Sequence, residues 1–320
     1  MSDTTGRSGI DTQAHRRAPR RKKLFRIPWG SIVTFIGPSL FLYFLLIIIP
    51  VGMTFYNSVH ILRMDLGMRR EWVGLEHYAK LLTDDLIFRM AVKNSFIWAI
   101  FASVVDIPFA LFLALILYSK LPLTRLFRIS WFTPMLVSWV VVGFIFRWVY
   151  NYDWGVVNTV LRGVGLDAWV RNWLGDPQTA LLSLMVITMW KFVGFNMVIF
   201  LAALSSIPDE LVDAARIDGC NRAQLVFRIV IPLIRSTAVN LLILAFIGKM
   251  KQFALVWVST RGGPMHHTET VATYVQNRAF NWRTLDLGYP SAIAVVWFIV
   301  ILAFTVLFTR TLQRREVLEF

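Results

Sequence analysis

The sequence predicts an all-α, polytopic membrane protein with six transmembrane helices, and three observations carry that prediction. First, 57% of its 320 residues are hydrophobic and only 16% are charged, against roughly 45–50% and about 25% in soluble domains. Second, six windows are apolar and long enough to cross a hydrocarbon core about 30 Å thick, which takes roughly 20 helical residues. Third, the chain carries 33 Lys+Arg against 19 Asp+Glu, a formal +14, and the excess is concentrated in alternate connecting segments. That distribution reads as topology, not as a nucleic-acid footprint. The single cysteine, Cys220, can form neither an intramolecular disulfide nor a Cys-cluster zinc site.

The windows are 32–51, 94–118, 129–146, 180–204, 237–258 and 291–309. Helices are required, because any other open span would leave backbone groups unpaired in lipid. The first, third and sixth hold no charge. The others carry Asp106, Lys191, and the pair Lys249 and Lys251, which predicts that those three helices face protein or water. Segments 1–30, 119–128, 205–236 and 310–320 hold 8, 3, 4 and 3 Lys/Arg against 2, 0, 4 and 2 acids, a net +10. The alternate segments 58–93, 147–178 and 259–289 are nearly balanced at +2. By the positive-inside rule both termini are cytoplasmic. The clusters Arg16-Arg17 and Arg20-Arg21-Lys22-Lys23 then lie beside anionic headgroups, so membrane lipid is a partner. A basic run before an apolar one also describes a secretion signal, but this apolar run is too long and no small-residue cleavage site follows Val51. A retained anchor is predicted. The organisation is thus a basic amino-terminal segment, 1–30, and one membrane domain, 31–315. Trp29, Trp131, Trp148, Tyr150 and Trp154 gather at the predicted interfaces.

Segment 205–236 is punctuated as no ordinary loop would be. Pro208 suits a first helical position, Asp209 and Glu210 complement the positive dipole end, and Gly219 can take the left-handed conformation that ends a helix. A short helix over 208–218 follows. Asn221 can cap a second helix running to Pro232, where the chain should bend into the fifth span. Leu211, Ala214 and Ala215 fall at i, i+3 and i+4 and predict a small-residue docking face. Spacing alone leaves a second reading open, an amphipathic hairpin lying on headgroups or on its own bundle. A DNA-reading pair is disfavoured, since its second helix would carry only Arg222 and Arg228 and be pinned to the bilayer.

Asp213-Ala-Ala-Arg-Ile-Asp-Gly219, followed by Phe227, Ile229 and Ile231-Pro232, resembles the EAA loop of permease subunits in binding-protein-dependent ABC importers. Thr260-Arg-Gly-Gly-Pro264, Thr268-Glu-Thr270, Tyr274, Ala279-Phe280 and Gly288-Tyr-Pro-Ser-Ala292 resemble the stretch ahead of the last helix in the carbohydrate-uptake branch, the maltose and glycerol-phosphate type. Trp72-Val-Gly-Leu75, His77-Tyr78 and Trp173-Leu-Gly-Asp-Pro177 are similar to further phrases of that branch. The motif's leading Glu is Asp213 here, and Cys220 stands where the family commonly has Ala.

The resemblance implies a type I importer permease of the bacterial cytoplasmic membrane, with a cytoplasmic coupling helix between the fourth and fifth spans. It implies Glu210, Asp213, Ala214, Ala215, Asp218 and Gly219 as the contact with the ATPase. The implied partners are a second permease subunit, two ATPase subunits and an extracytoplasmic solute-binding protein. The chain lacks a Gly-x-x-x-x-Gly-Lys-[Ser/Thr] loop. ATP and Mg are therefore expected on the partners, with no cofactor and no enzymatic site in this chain. The expected cargo is a carbohydrate or related polyol or glycoside.

Polar groups inside spans are functional suspects. The candidate pathway is Asn196, Asn240, Lys249, Lys251 and Gln252, with Trp190, Phe195, Phe246 and Phe253 as surfaces for sugar C–H faces. Lys191, Lys249 and Lys251 can equally snorkel or pair within the complex. On a continuous helix Lys249 and Lys251 point about 200° apart, so at most one faces the pathway, where a cation would favour an anionic, phosphorylated or sulfonated, sugar. Asp106, beside Pro108, has three readings: cation or proton site, partner of a buried Lys, or cap at a proline break. His266 and His267 lack a third ligand at metal spacing, so no metal is expected. An ion-gradient-driven transporter is the alternative, although the halves show no matching broken helices.

Overall fold

The computed structural model describes residues 29–63, 69–118, 123–281 and 286–313. Most of the basic amino-terminal segment, residues 1–28, lies outside the described residues, as do 119–122 and 314–320. The chain divides into two compact units at Val51. In the first, a helix begins at Trp29 and contains a π-helical turn at Phe44–Ile48. It is apolar on every side, which is the pattern of a helix solvated by lipid.

The second unit starts at Gly52. It opens with the end of that helix and a short antiparallel hairpin, His60–Arg63 with Arg69–Trp72, which the all-helical reading did not anticipate. Helical segments Leu86–Tyr118, Ala180–Ser205, Arg235–Ser259 and Gly288–Leu312 are long and apolar enough to span a membrane, as is Val33–Asn57. The third sequence window is different. Residues 129–146 fall on two helices, Thr124–Leu136 and Trp139–Val149, bent by 104°. Pro134 lies inside the first, Val137 is extended, and the Ser138 hydroxyl caps the second by accepting from the Val141 N–H at 3.3 Å. Hydropathy averages over such a break, so a bent pair registers as one span.

Two prolines are accommodated alike. A π-helical turn at Ala102–Asp106 precedes Pro108, and another at Leu225–Val230 precedes Pro232. The wide turn relieves the clash that a proline ring makes with the preceding turn. The bend expected at Pro232 falls instead at Ile234, where the helix through Pro232 ends before Arg235–Met250 begins.

Three buried clusters hold this unit together. One joins Ile107, Ala110 and Ala114 to Val193, Met197 and Phe200, and reaches Val212 and Val230. The second packs Phe88 and Ala91 against Phe246, Tyr274, Ile293 and Trp297. The third joins Trp98 and Val142 to Leu184, Ile187 and Leu255. Gly194 sets the closest helix approach: a Cβ there would lie 1.8 Å from the Trp131 carbonyl oxygen. Only a glycine lets the fourth span touch the Thr124–Leu136 backbone this way.

Candidate functional site

The fifth span is interrupted. Its helix runs Arg235–Met250, stops at Lys251-Gln252-Phe253, and resumes at Ala254–Ser259. A break inside a bilayer frees backbone carbonyls that must find donors. Here the Trp297 indole N–H donates to the Met250 carbonyl at 3.1 Å, and the Thr270 hydroxyl to that of Gln252 at 2.8 Å. The break is thus a satisfied, fixed feature.

Beside it lies a cavity of about 440 Å³, formed by three interruptions or polar faces. The π-helical turn of the second span contributes Asp106, the fourth span Phe192, Phe195 and Asn196, and the fifth Lys249, Lys251, Gln252 and Phe253. Trp139, at the start of the helix after the bent break, closes one side. Asp106 is 1% exposed and Lys249 6%. Among the described residues, neither carboxylate oxygen of Asp106 nor the Lys249 ammonium has a hydrogen-bond partner. Lys249 rests its charge against the Phe192 ring, 4.5 Å from the centroid.

The structure therefore sorts the sequence candidates. Asn196, Lys249, Lys251 and Gln252 line the cavity. Trp190 does not: it is partly exposed and packs edge-on against Phe146, 5.2 Å between centroids. Asn240 is exposed and also away from the cavity. Phe246 is a core residue, packed with Phe96, Phe304 and Phe308. The expectation that Lys249 and Lys251 diverge fails for a physical reason: the helix ends at Met250, so the 100° step no longer applies and both border the cavity. Sequence reasoning did not place Trp139, Phe192, Leu241 or Leu244 there. Phe192 sits four residues before Asn196, a helical spacing that could have flagged it.

Lys191 has a different fate. Its ammonium donates to the carbonyls of Pro134 at 3.0 Å and Met135 at 2.9 Å, and to that of Val137. These are the carbonyls freed where Thr124–Leu136 ends. Neither snorkelling nor pairing within the complex describes it: its partners are carbonyls of its own chain. Gly194, three residues on, lets that backbone come near enough.

At the far end of the fourth span stands the short helix Asp209–Ile217. Pro208 precedes it as the capping residue, one position earlier than the sequence reading placed it. Gly219 has φ +81°, the Cys220 N–H bonds the Ala215 carbonyl at 3.0 Å and the Gly219 N–H that of Arg216 at 3.1 Å, a complete Schellman ending. Asn221 and Gln224 then form a reciprocal capping box. Of the predicted docking face, Leu211 and Ala214 are exposed and only Ala215 is not. Ala215 is buried with Val212 against the helix bundle, whereas Glu210, Asp213, Ala214 and Ile217 point outward, Ile217 86% exposed. Asp218 and Gly219 are exposed at the turn. Asp213 pairs with Arg216 at 3.1 Å, an exposed contact of small energetic weight.

The Gly-Gly-Pro stretch is a hydrogen-bonded knot. Glu269, buried, accepts from Asn277 at 3.0 Å and contacts His266 Nδ1 at 2.9 Å, while the Asn94 amide donates to the carbonyls of His266, His267 and Glu269. Nearby, the Asp85 carboxylate accepts from the hydroxyls of Tyr274 and Tyr289, each at 2.5 Å. Burial, and then this bond, push Tyr274 above the usual phenol range. Among the described residues no group of His, Cys, Asp and Glu is arranged to hold a metal.

Comparison with known proteins agrees with this architecture. The family described as "Binding-protein-dependent transport system inner membrane component" matches residues 106–317. The sulfoquinovosyl glycerol transport system permease protein SmoG of Agrobacterium fabrum is 31% identical over 89% of this chain and 91% of its own. The diacetylchitobiose uptake system permease protein NgcF of Streptomyces coelicolor is 31% identical over 90% of this chain and 84% of its own. Among solved structures, a bacterial ABC transporter involved in the import of the acidic polysaccharide alginate has a chain that superposes with a TM-score of 0.77 at 20% identity, covering 89% of this chain and 98% of that one.

Proposed function

Because the chain belongs to the inner-membrane component family of binding-protein-dependent transport systems, we propose that it is the translocating subunit of an ATP-driven importer for a carbohydrate or related polyol or glycoside. Similarity along most of its length to permeases named for sulfoquinovosyl glycerol, diacetylchitobiose and trehalose/maltose supports the cargo class. In this reading both termini and the helix Asp209–Ile217 are cytoplasmic. A second permease completes the pathway, two ATPase subunits bind and hydrolyse ATP with Mg, and an extracytoplasmic protein delivers solute. A solved relative has been seen in complex with an alginate pentasaccharide-bound periplasmic protein, which supports the last of these.

The observation that carries the proposal is the capped helix Asp209–Ile217. Val212 fixes it in the same cluster as the second and fourth spans, while Glu210, Asp213, Ala214 and Ile217 are left outward. A partner gripping that outer face moves the helix as a rigid lever, and its motion tilts the spans that border the cavity. Proteoliposomes holding the complete importer test this by uptake with and without ATP and binding protein. ATP-dependent uptake is expected, and Asp213→Lys should abolish it while leaving membrane insertion intact. A steady flux that ignores nucleotide would overturn the proposal.

A further inference from the structure

We infer that Asp106 and Lys249 form a charge-compensated binding pair that selects an uncharged, polyhydroxylated solute over an anionic one. This rests on the importer reading above and names what its cavity holds. The two groups sit on different spans, each more than nine-tenths buried, and both border one cavity, with no hydrogen-bond partner among the described residues. Structural ion pairs earn their place by satisfying one another and nearby donors or acceptors. This pair does neither fully: no hydrogen-bond partner among the described residues meets either group, and both residues border the cavity.

The chemistry of the ligand follows from what those atoms lack. Two carboxylate oxygens accept only, and an ammonium donates only. A sugar hydroxyl is donor and acceptor at once, so adjacent hydroxyls can donate to Asp106 and accept from Lys249. Trp139, Phe192 and Phe253 offer flat apolar faces for the C–H side of a ring. A carboxylate, sulfonate or phosphate group on the solute would satisfy Lys249 but bring no donor to Asp106, and it would be repelled there. Lys251 also borders the cavity, but it is exposed, so solvent and salt screen its charge. The buried end of the site is electrically balanced.

The test uses the purified, nucleotide-free importer complex, with equilibrium dialysis of radiolabelled maltose and of an unsaturated alginate disaccharide as neutral and anionic probes. Wild type should bind maltose at least about tenfold more tightly. Asp106→Asn should narrow or reverse that preference by about tenfold, because it leaves Lys249 uncompensated. Lys249→Met should weaken both probes, the anionic one more. Where a single substitution prevents assembly, the charge-neutral double variant Asp106→Asn/Lys249→Met replaces it, and it should bind maltose at least about tenfold more weakly than wild type. A wild-type preference for the uronate, no binding of either probe, or an unchanged ratio in Asp106→Asn and unchanged affinity in the double variant would each overturn the inference. ATP-dependent uptake is measured in parallel. If it persists while the cavity variants behave as wild type, only this inference falls, whereas nucleotide-independent flux removes the importer reading itself.

Discussion

Lys191 and Lys249 are both lysines buried within spans, and their surroundings could hardly differ more. Lys191, 3% exposed, saturates its ammonium on carbonyls released by the bent break after Leu136. Lys249 has the Phe192 ring beside it and, among the described residues, no hydrogen-bond acceptor. A buried charge left without a hydrogen-bond partner persists only where something other than stability maintains it. The contrast teaches that charge within a hydrophobic window marks two unlike things, the repair of a broken helix and an exposed need in a cavity.

The strongest way to break the contrast is Lys191→Met. Stranding buried carbonyls costs about 1–3 kcal/mol for each acceptor left unsatisfied, so a loss of about 3 kcal/mol or more is expected, read as a large fall in Tm of the purified protein. Unchanged Tm would deny Lys191 its structural role. Gly194→Val should cost a comparable amount, about 3 kcal/mol or more, because its Cβ meets the Trp131 backbone rather than a movable side chain. Gly219→Val should perturb only the end of the short helix, by about 1–2 kcal/mol per residue forced left-handed. Its signature is functional: uptake lost, with the protein still inserted and of nearly normal Tm. The smallest stability effect, about 1 kcal/mol or less, is expected for Asp106→Asn/Lys249→Met, which removes both charges together. A fall as steep as that of Lys191→Met would erase the distinction between the two lysines.

The cavity and the knotted Gly-Gly-Pro loop differ in the same sense. Thr260, Thr268, Glu269 and Tyr274 are engaged in hydrogen bonds that lock one end of the second unit. Glu269 carries charge, yet Asn277 and His266 consume it, so it resembles Lys191 rather than Asp106.

Much of this was legible in the residues. Twenty apolar positions in a row admit few structures in lipid, so three of the six windows appear as single long helical segments in the second unit, a fourth as one apolar segment broken at 251–253, and one in the first. Pro208, Gly219 and Asn221 declare local backbone geometry, and the capped helix with its Schellman ending follows from them. Tertiary structure alone decided the rest. That 129–146 bends by 104° depends on Lys191, far along the chain, arriving to satisfy its carbonyls. That Lys249 and Lys251 share one cavity depends on Trp297 and Thr270 stabilising a helix break that hydropathy cannot register. That Phe246 is core, Trp190 peripheral and Asp106 a cavity wall depends on which neighbour each side chain meets. Local sequence fixes what a segment can become, whereas a polar group's role rests on whether distant residues satisfy it.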